Sequence, residues 1–272
     1  MKNTMAVLAV SSLLAVSACK KTENNNTAAA APEKERFTVD SVKIDDSIKI
    51  NDSLTVKYSS RMLVFPTLKN KTLLDSIYFT EKNIGDFSKN GLRNYLQKSK
   101  NEYFNQIRKD AKEWGSDLTF AQEWYFDTGM KVKSNMNGYL HVEYIWGSYS
   151  GGAHDNYGFS ERVFDLENNK KVELKDITSM PAGQLEALLM KNINKINSGT
   201  TDNTGQVNNS EMLLVDKIPA TGNFYFDEKN LYFHYSPYEI TAFAAGDITI
   251  PVSWANLKGT LNPEFAKRMK IN

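Results

Sequence analysis

The residues able to do distinctive chemistry are few: one cysteine, Cys19, and three histidines, His141, His154 and His234, in 272 residues. Cys19 closes the run Val16-Ser17-Ala18-Cys19 directly after an apolar stretch from Met5 to Leu14, which Lys2 precedes. A basic start, a short apolar core and small residues before the cut are the layout of a secretory signal. The core falls short of the roughly 20 apolar residues that a membrane-spanning helix needs. A cysteine just after the cut accepts diacylglycerol on its thiol. The sequence therefore predicts a lipoprotein signal over 1–18 and an exported chain anchored through Cys19 by its lipid alone. Lipidation of the sole thiol excludes disulfides, thiol nucleophiles and cysteine metal sites.

The histidines have acids near them in sequence: Glu143, Asp155 and Glu239. His141 and Glu143 share one face of a strand, since side chains two apart point the same way. Joined by His154, such a pair has the donors for a metal site, or for a general base with an orienting carboxylate. No HExxH, GxSxG or paired metal spacing accompanies them. The expectation is no catalytic residue, no metal and no cofactor. If His154 touched Asp155, the carboxylate would raise the imidazole's pKa.

The distinctive stretch is Trp146-Gly147-Ser148-Tyr149-Ser150-Gly151-Gly152-Ala153-His154-Asp155-Asn156-Tyr157-Gly158. An aromatic strand runs there into glycines, which adopt backbone angles closed to other residues and permit close approach. Two readings stand: a shaped binding loop offering Tyr149, Ser150, Gly151, Gly152, His154 and Asn156, or a hairpin loop whose histidine bonds its own backbone. A second segment, Tyr235 to Gly246, follows a strand that Pro237 stops, so that Tyr238 and Glu239 sit just past its end.

The elements that must position these segments can be read from periodicity. Lys20 to Arg36 lacks apolar periodicity and reads as a flexible tether over 19–36. From Val42 to Tyr58 apolar residues fall on even numbers, with Asp46 and Asp52 breaking the series. Within it the near-repeat VKIDDS, IKINDS is either short strands separated by Asp-Ser turns or one long edge strand. A helix fits Asp86 to Trp114, expected to bury Tyr95, Tyr103 and Ile107 on a sheet, with Gly91 weakening its first turn. Strands fit 120–132, 139–146, 158–166 and 171–174, with Asn168-Asn169 as a hairpin turn. A second helix fits Ala182 to Ile196, and last strands 223–226, 231–235 and 247–252. This order predicts an α+β fold, a mainly antiparallel sheet with two main helices packed on it. Trp114, Trp124, Trp146 and Tyr149 could stack on sugar rings or fill the core.

Together SYSGGAH, FDLENNKKVELKDI and NFYF…LYFHYSPYEITAFAAGDITIPV resemble the RsiV-type domain, shared by lysozyme-binding anti-sigma factors and the non-catalytic region of PdaC-type peptidoglycan deacetylases. The resemblance runs from about Trp146 to Leu257. Upstream, LTVKYSSRMLVFPTL and the long helix are similar to the PdaC-like subdomain that usually precedes it. The implied organisation is a PdaC-like subdomain over 37–135 and an RsiV-type domain over 136–272. The anti-sigma members also carry a membrane-spanning helix and the deacetylases a catalytic domain with metal-binding His and Asp motifs; this sequence shows neither. The resemblance implies a non-enzymatic envelope binding module, with lysozyme or peptidoglycan as partner. Its ligand contacts would be Tyr149 to Gly152, His154, and Pro237, Tyr238 and Glu239, all at one end of the sheet. The alternative is a hydrolase or deacetylase-associated enzyme acting on peptidoglycan.

Charge supports no polyanionic partner. Removing Lys2 from the 33 basic residues balances the 32 acidic ones, so the mature chain has no bulk attraction for nucleic acid or anionic membrane surfaces. Lys20 after the cysteine, in place of Asp, points to the outer membrane by the rule of enteric bacteria. Cys19→Ala is expected to leave a soluble or unprocessed protein that takes up no radioactive fatty acid; label persisting in the variant would overturn the anchor.

Overall fold

The computed structural model describes residues 37–114 and 120–271. The expected signal peptide, Cys19 and the tether to residue 36 lie outside the described residues. Among the described residues no helix is long and apolar enough to cross a membrane.

The near-repeat at the start forms one long edge strand, β1 (Asp40–Asn51), and the alternation continues on its antiparallel partner β2 (Leu54–Val64). Asp46, which breaks the alternation, faces a helix and meets Lys100 at 2.6 Å. A crossover through α1 (Lys71–Ile77) and α2 (Lys89–Trp114) then leads to β3 (Gln122–Met136), which pairs with β2 in parallel. Asn70 caps α1, its side chain accepting from Leu73 N at 2.9 Å. The long helix begins three residues later than expected because Ser88 caps it, Oγ accepting from Gly91 N at 3.1 Å. Gly91 is required by crowding, since a Cβ there would lie 2.3 Å from Asp86.

The chain continues as a meander: β4 (Tyr139–Tyr149), β5 (Asn156–Asp165) and the two-residue β6 (Lys170–Lys171). With β1 to β3 they make a six-stranded sheet in chain order. Asn137 and Gly138, at φ 50° and 74°, turn β3 into β4, the left-handed pair of a tight hairpin. The division expected at 135/136 falls inside this hairpin, so both segments build one sheet, and Arg36–Asn272 forms a single compact unit.

Beyond β6 the expected strand to Leu174 gives way to α3 (Leu174–Ile177), whose start Asp176 secures by accepting from Glu173 N at 2.8 Å. Then come α4 (Ala182–Asn192), continued by a 3₁₀ turn over 193–195, and the short pair β7 (Thr201–Asp202) and β8 (Gly205–Gln206). β9 (Phe224–Phe226), β10 (Asn230–Tyr235) and β11 (Ile248–Ser253) form a second antiparallel sheet in the order β11-β10-β9. α5 (Pro263–Met269) closes the fold, capped by Asn262 and opened by Pro263. The fold is α+β and mainly antiparallel.

The alternation of β4 and β5 divides the packing. Leu140, Val142, Tyr144 and Phe164 join the core under α1 and α2. Tyr139 and Val163 join the other core, built with α4, α5 and the second sheet. Along α2 the fully buried spine is Leu92, Leu96 and Phe104, one step round from the expected Tyr95, Tyr103 and Ile107, which are half-buried at its flanks. Leu96→Ala is expected to cost about 2–5 kcal/mol by urea unfolding, while Lys98→Ala on the exposed face stays within about 0.5 kcal/mol.

Candidate functional site

The fold brings the two singled-out segments into contact. Gly151 and Gly152 adopt φ 94° and 114°, conformations that favour glycine. They curl the loop so that Tyr149 OH donates to Gly152 O at 3.1 Å. Ser150 is exposed beside it. His154 Nδ1 donates to the Asp155 carbonyl at 2.6 Å, which leaves Nε2 to accept from Tyr238 OH at 3.3 Å. Its ring stacks on Phe243 at 4.0 Å. His154 thus meets the Asp155 backbone, while the Asp155 carboxylate takes Tyr125 OH at 2.7 Å. That hydrogen bond, with burial, pushes the Tyr125 phenol up to about 12.

Ser236-Pro237-Tyr238-Glu239 is a β-turn closed by Glu239 N donating to Ser236 O at 3.1 Å. Pro237 sits where proline is favoured. Tyr238, at φ 68°, occupies the position that in a type II turn belongs to glycine. A bulky residue in that conformation costs about 1–3 kcal/mol, yet its side chain is 55% exposed. Glu239 braces the turn, Oε2 accepting from Ser236 N at 2.9 Å.

A chain of ring contacts leads inward from this patch. Tyr157 meets Phe243 edge-on at 5.8 Å and Phe159 at 5.9 Å, and Phe159 stacks on His234 at 4.8 Å. His234 belongs to an ion network between the two sheets, buried at His141, Glu161 and His234 and reaching the surface at Asp247. Glu161 Oε1 accepts from His234 Nδ1 at 2.8 Å and Oε2 from His141 Nε2 at 2.6 Å. His234 Nε2 donates to Asp247 Oδ2 at 3.1 Å. With both ring nitrogens facing carboxylates, His234 is the imidazolium. Burial alone would raise the Glu161 carboxyl, but hydrogen bonds and charge from His141 and His234 hold it down at about 2. Burial likewise opposes the charge on His234, and Asp247 and Glu161 overcome it, raising it to about 9. Asn223 binds the sheets around this network. Its Oδ1 accepts from Glu161 N, and its Nδ2 donates to His234 O at 2.8 Å and to Phe159 O at 3.2 Å.

The grouping of His141 with Glu143 and His154 does not form. Glu143 pairs with Lys133 at 2.9 Å, and His154 lies in the exposed loop. Among the described residues no cluster of three His, Cys, Asp or Glu is placed to hold a metal ion. Sequence reasoning missed Glu161, Asp247, Asn223, Phe159 and Phe243. A signal for Glu161 existed: it lies in phase with buried Val163 on β5. It also lies directly opposite Glu143, a like-charge pair that is destabilising unless each member has its own partner.

An α+β scaffold carrying a buried ion network beneath an exposed aromatic loop patch is the class that the geometry defines. Residues 173–255 match the family model described as "Protein of unknown function (DUF3298)". A DUF3298 family member from Bacteroides fragilis has a similar structure, at 19% identity and a TM-score of 0.69, over 87% of this chain and 98% of that one. A DUF3298 family protein from Pseudomonas aeruginosa is similar at 15% identity and a TM-score of 0.54, over 85% and 97%. At these identities the likeness is one of fold. Among curated proteins none matches the chain.

The network sets a pH window. The raised His234 stabilises fully below its ordinary 6.5 and loses that contribution as pH climbs through about 9. The lowered Glu161 contributes above its ordinary 4.5 and is lost as pH falls through about 2. The network's contribution is therefore expected to be greatest between these ordinary values, as read by urea unfolding across pH. Glu161→Gln, which leaves His141 without its carboxylate and His234 with Asp247 alone, should cost about 3–5 kcal/mol there and move the alkaline decline to lower pH.

Proposed function

We propose that the protein is a non-enzymatic binding module of the cell envelope, anchored through Cys19, that presents the Tyr149–His154 loop and the Pro237–Glu239 turn to a partner. The observation that carries this reading is Tyr238. It is exposed, held in a backbone conformation that stability alone would assign to glycine, and oriented by His154 and Phe243. Strain kept at a surface position is characteristic of binding sites, and a rigid tyrosine supplies contact area at little entropic cost.

The resemblance to RsiV-type domains makes lysozyme the first partner to test. The balanced charge of the mature chain leaves attraction to local acids such as Glu239, and association should be only modestly salt-sensitive. A cell-wall glycan is the second reading, favoured by the exposed tyrosine face. A peptidoglycan-directed enzyme is the remaining alternative; the engagement of both His234 nitrogens with carboxylates favours a structural role for that histidine.

Calorimetric titration of the purified protein with lysozyme should show binding that Tyr149→Ala or Tyr238→Ala weakens by about 2 kcal/mol or more. Tyr238→Gly separates the two demands on that residue. It should raise unfolding stability by about 1 kcal/mol through relief of strain while weakening binding as the alanine variant does. No heat from the wild type would remove lysozyme as partner and direct the same variants to cell-wall fragments.

A further inference from the structure

Away from the loop patch, a pocket of about 500 Å³ opens between α2 and the six-stranded sheet. Its origin is a row across the sheet in which three of the four residues are small. Ser60 lies beside Thr128, Thr128 beside Trp146, and Trp146 beside Gly158. The neighbouring rows are bulky, with Tyr58 and Phe126 on one side and Met130 and Tyr144 on the other. The result is a furrow floored by hydroxyls and walled by rings, with Leu96, Ser99 and Tyr103 of α2 along it.

At one end stands Trp146. A Cβ on Gly158 would lie 2.6 Å from its Nε1, so the indole rests over bare backbone, and it remains 44% exposed. On the floor, Ser60 and Thr128 hydroxyls bond each other at 2.7 Å. At the rim, Glu81 is held by Tyr95 OH at 2.6 Å and by Thr80 at 3.3 Å. Arg61 contributes to the lining, but its guanidinium is directed to Ser41 Oγ at 3.5 Å.

This chemistry selects a ligand class. The carboxylate at the rim, with the guanidinium directed elsewhere, disfavours an anion. A plain hydrocarbon would bring an apolar chain against the Glu81 carboxylate, which costs free energy. A pyranose has an apolar C–H face for an aromatic ring and hydroxyls for side-chain oxygens, the combination of apolar wall and few polar groups found in small-ligand sites. We infer that this furrow is a site for a neutral saccharide, one sugar ring lying on the Trp146 indole and its hydroxyls reaching Thr128 and Glu81. The site is separate from the Tyr149 and Tyr238 patch, and the inference does not rest on the function proposed for that patch.

Saturation-transfer NMR on the purified wild-type protein with cellotetraose and chitotetraose should show saturation reaching the ring protons of at least one of them. Calorimetry should then give an affinity that Trp146→Ala weakens by about tenfold or more. Gly158→Ala, which displaces the indole, should weaken it too. Tyr238→Ala should bind as the wild type does, which keeps this result distinct from the lysozyme test. Absence of transfer to both sugars at millimolar concentration would overturn the inference without recourse to any variant. So would Trp146→Ala binding unchanged, or decanoate displacing the sugars.

Discussion

One carboxylate, Glu161, governs how the two sheets meet. It is almost wholly removed from water, with a side chain 2% exposed, and a charge so placed is tolerable only when paired and hydrogen-bonded. His141 comes from the neighbouring strand of its own sheet and His234 from the second sheet, so the pairing can be completed only when the sheets dock in one register. Asn223 reinforces that register through backbone groups of β5 and β10. Apolar packing around it would tolerate small slips; the ion network does not.

The exposed patch inherits its order from this centre. Ring contacts run from His234 through Phe159 and Tyr157 to Phe243, against which His154 and Tyr238 are seated. The strain at Tyr238 persists because the turn is fastened on several sides: Glu239 closes it, His154 holds the phenol, and Ser236 Oγ accepts from Phe159 N at 3.0 Å. The opposite face of the sheet is organised by size rather than charge. A row that is small but for Trp146, bulky residues beside it and a helix laid across both leave a furrow instead of a filled core.

Much of the scaffold was legible in the chain. Alternation and helical spacing located the long strands, the long helix and α4, because one-sided burial imposes those periods on sequence. Helix ends were less legible, since the Ser88 cap at one end and the 3₁₀ turn after Asn192 at the other depend on local hydrogen bonds. The short α1 and α5 carry too few turns for periodicity to declare them, although Asn70, Asn262 and Pro263 signal their starts. The segments that carry Tyr149, His154 and Tyr238 were legible because glycines and a proline mark where a chain leaves its strands. That the two segments lie close together was expected because each follows an aromatic strand and the resemblance puts both in one domain; the His154–Tyr238 contact itself emerged only from the structure.

By itself the sequence determined the α+β class, the phase of the long strands and the two segments that leave the sheet. It also carries 33 basic residues against 32 acidic ones, a near balance that is a property of composition alone. Tertiary structure alone decided which acid serves which histidine. Glu143 is two residues from His141 yet binds Lys133, while Glu161, 20 residues away, takes both His141 and His234. Only strand pairing sets such distances, because neighbours on a sheet surface are fixed by register between strands rather than by spacing along one.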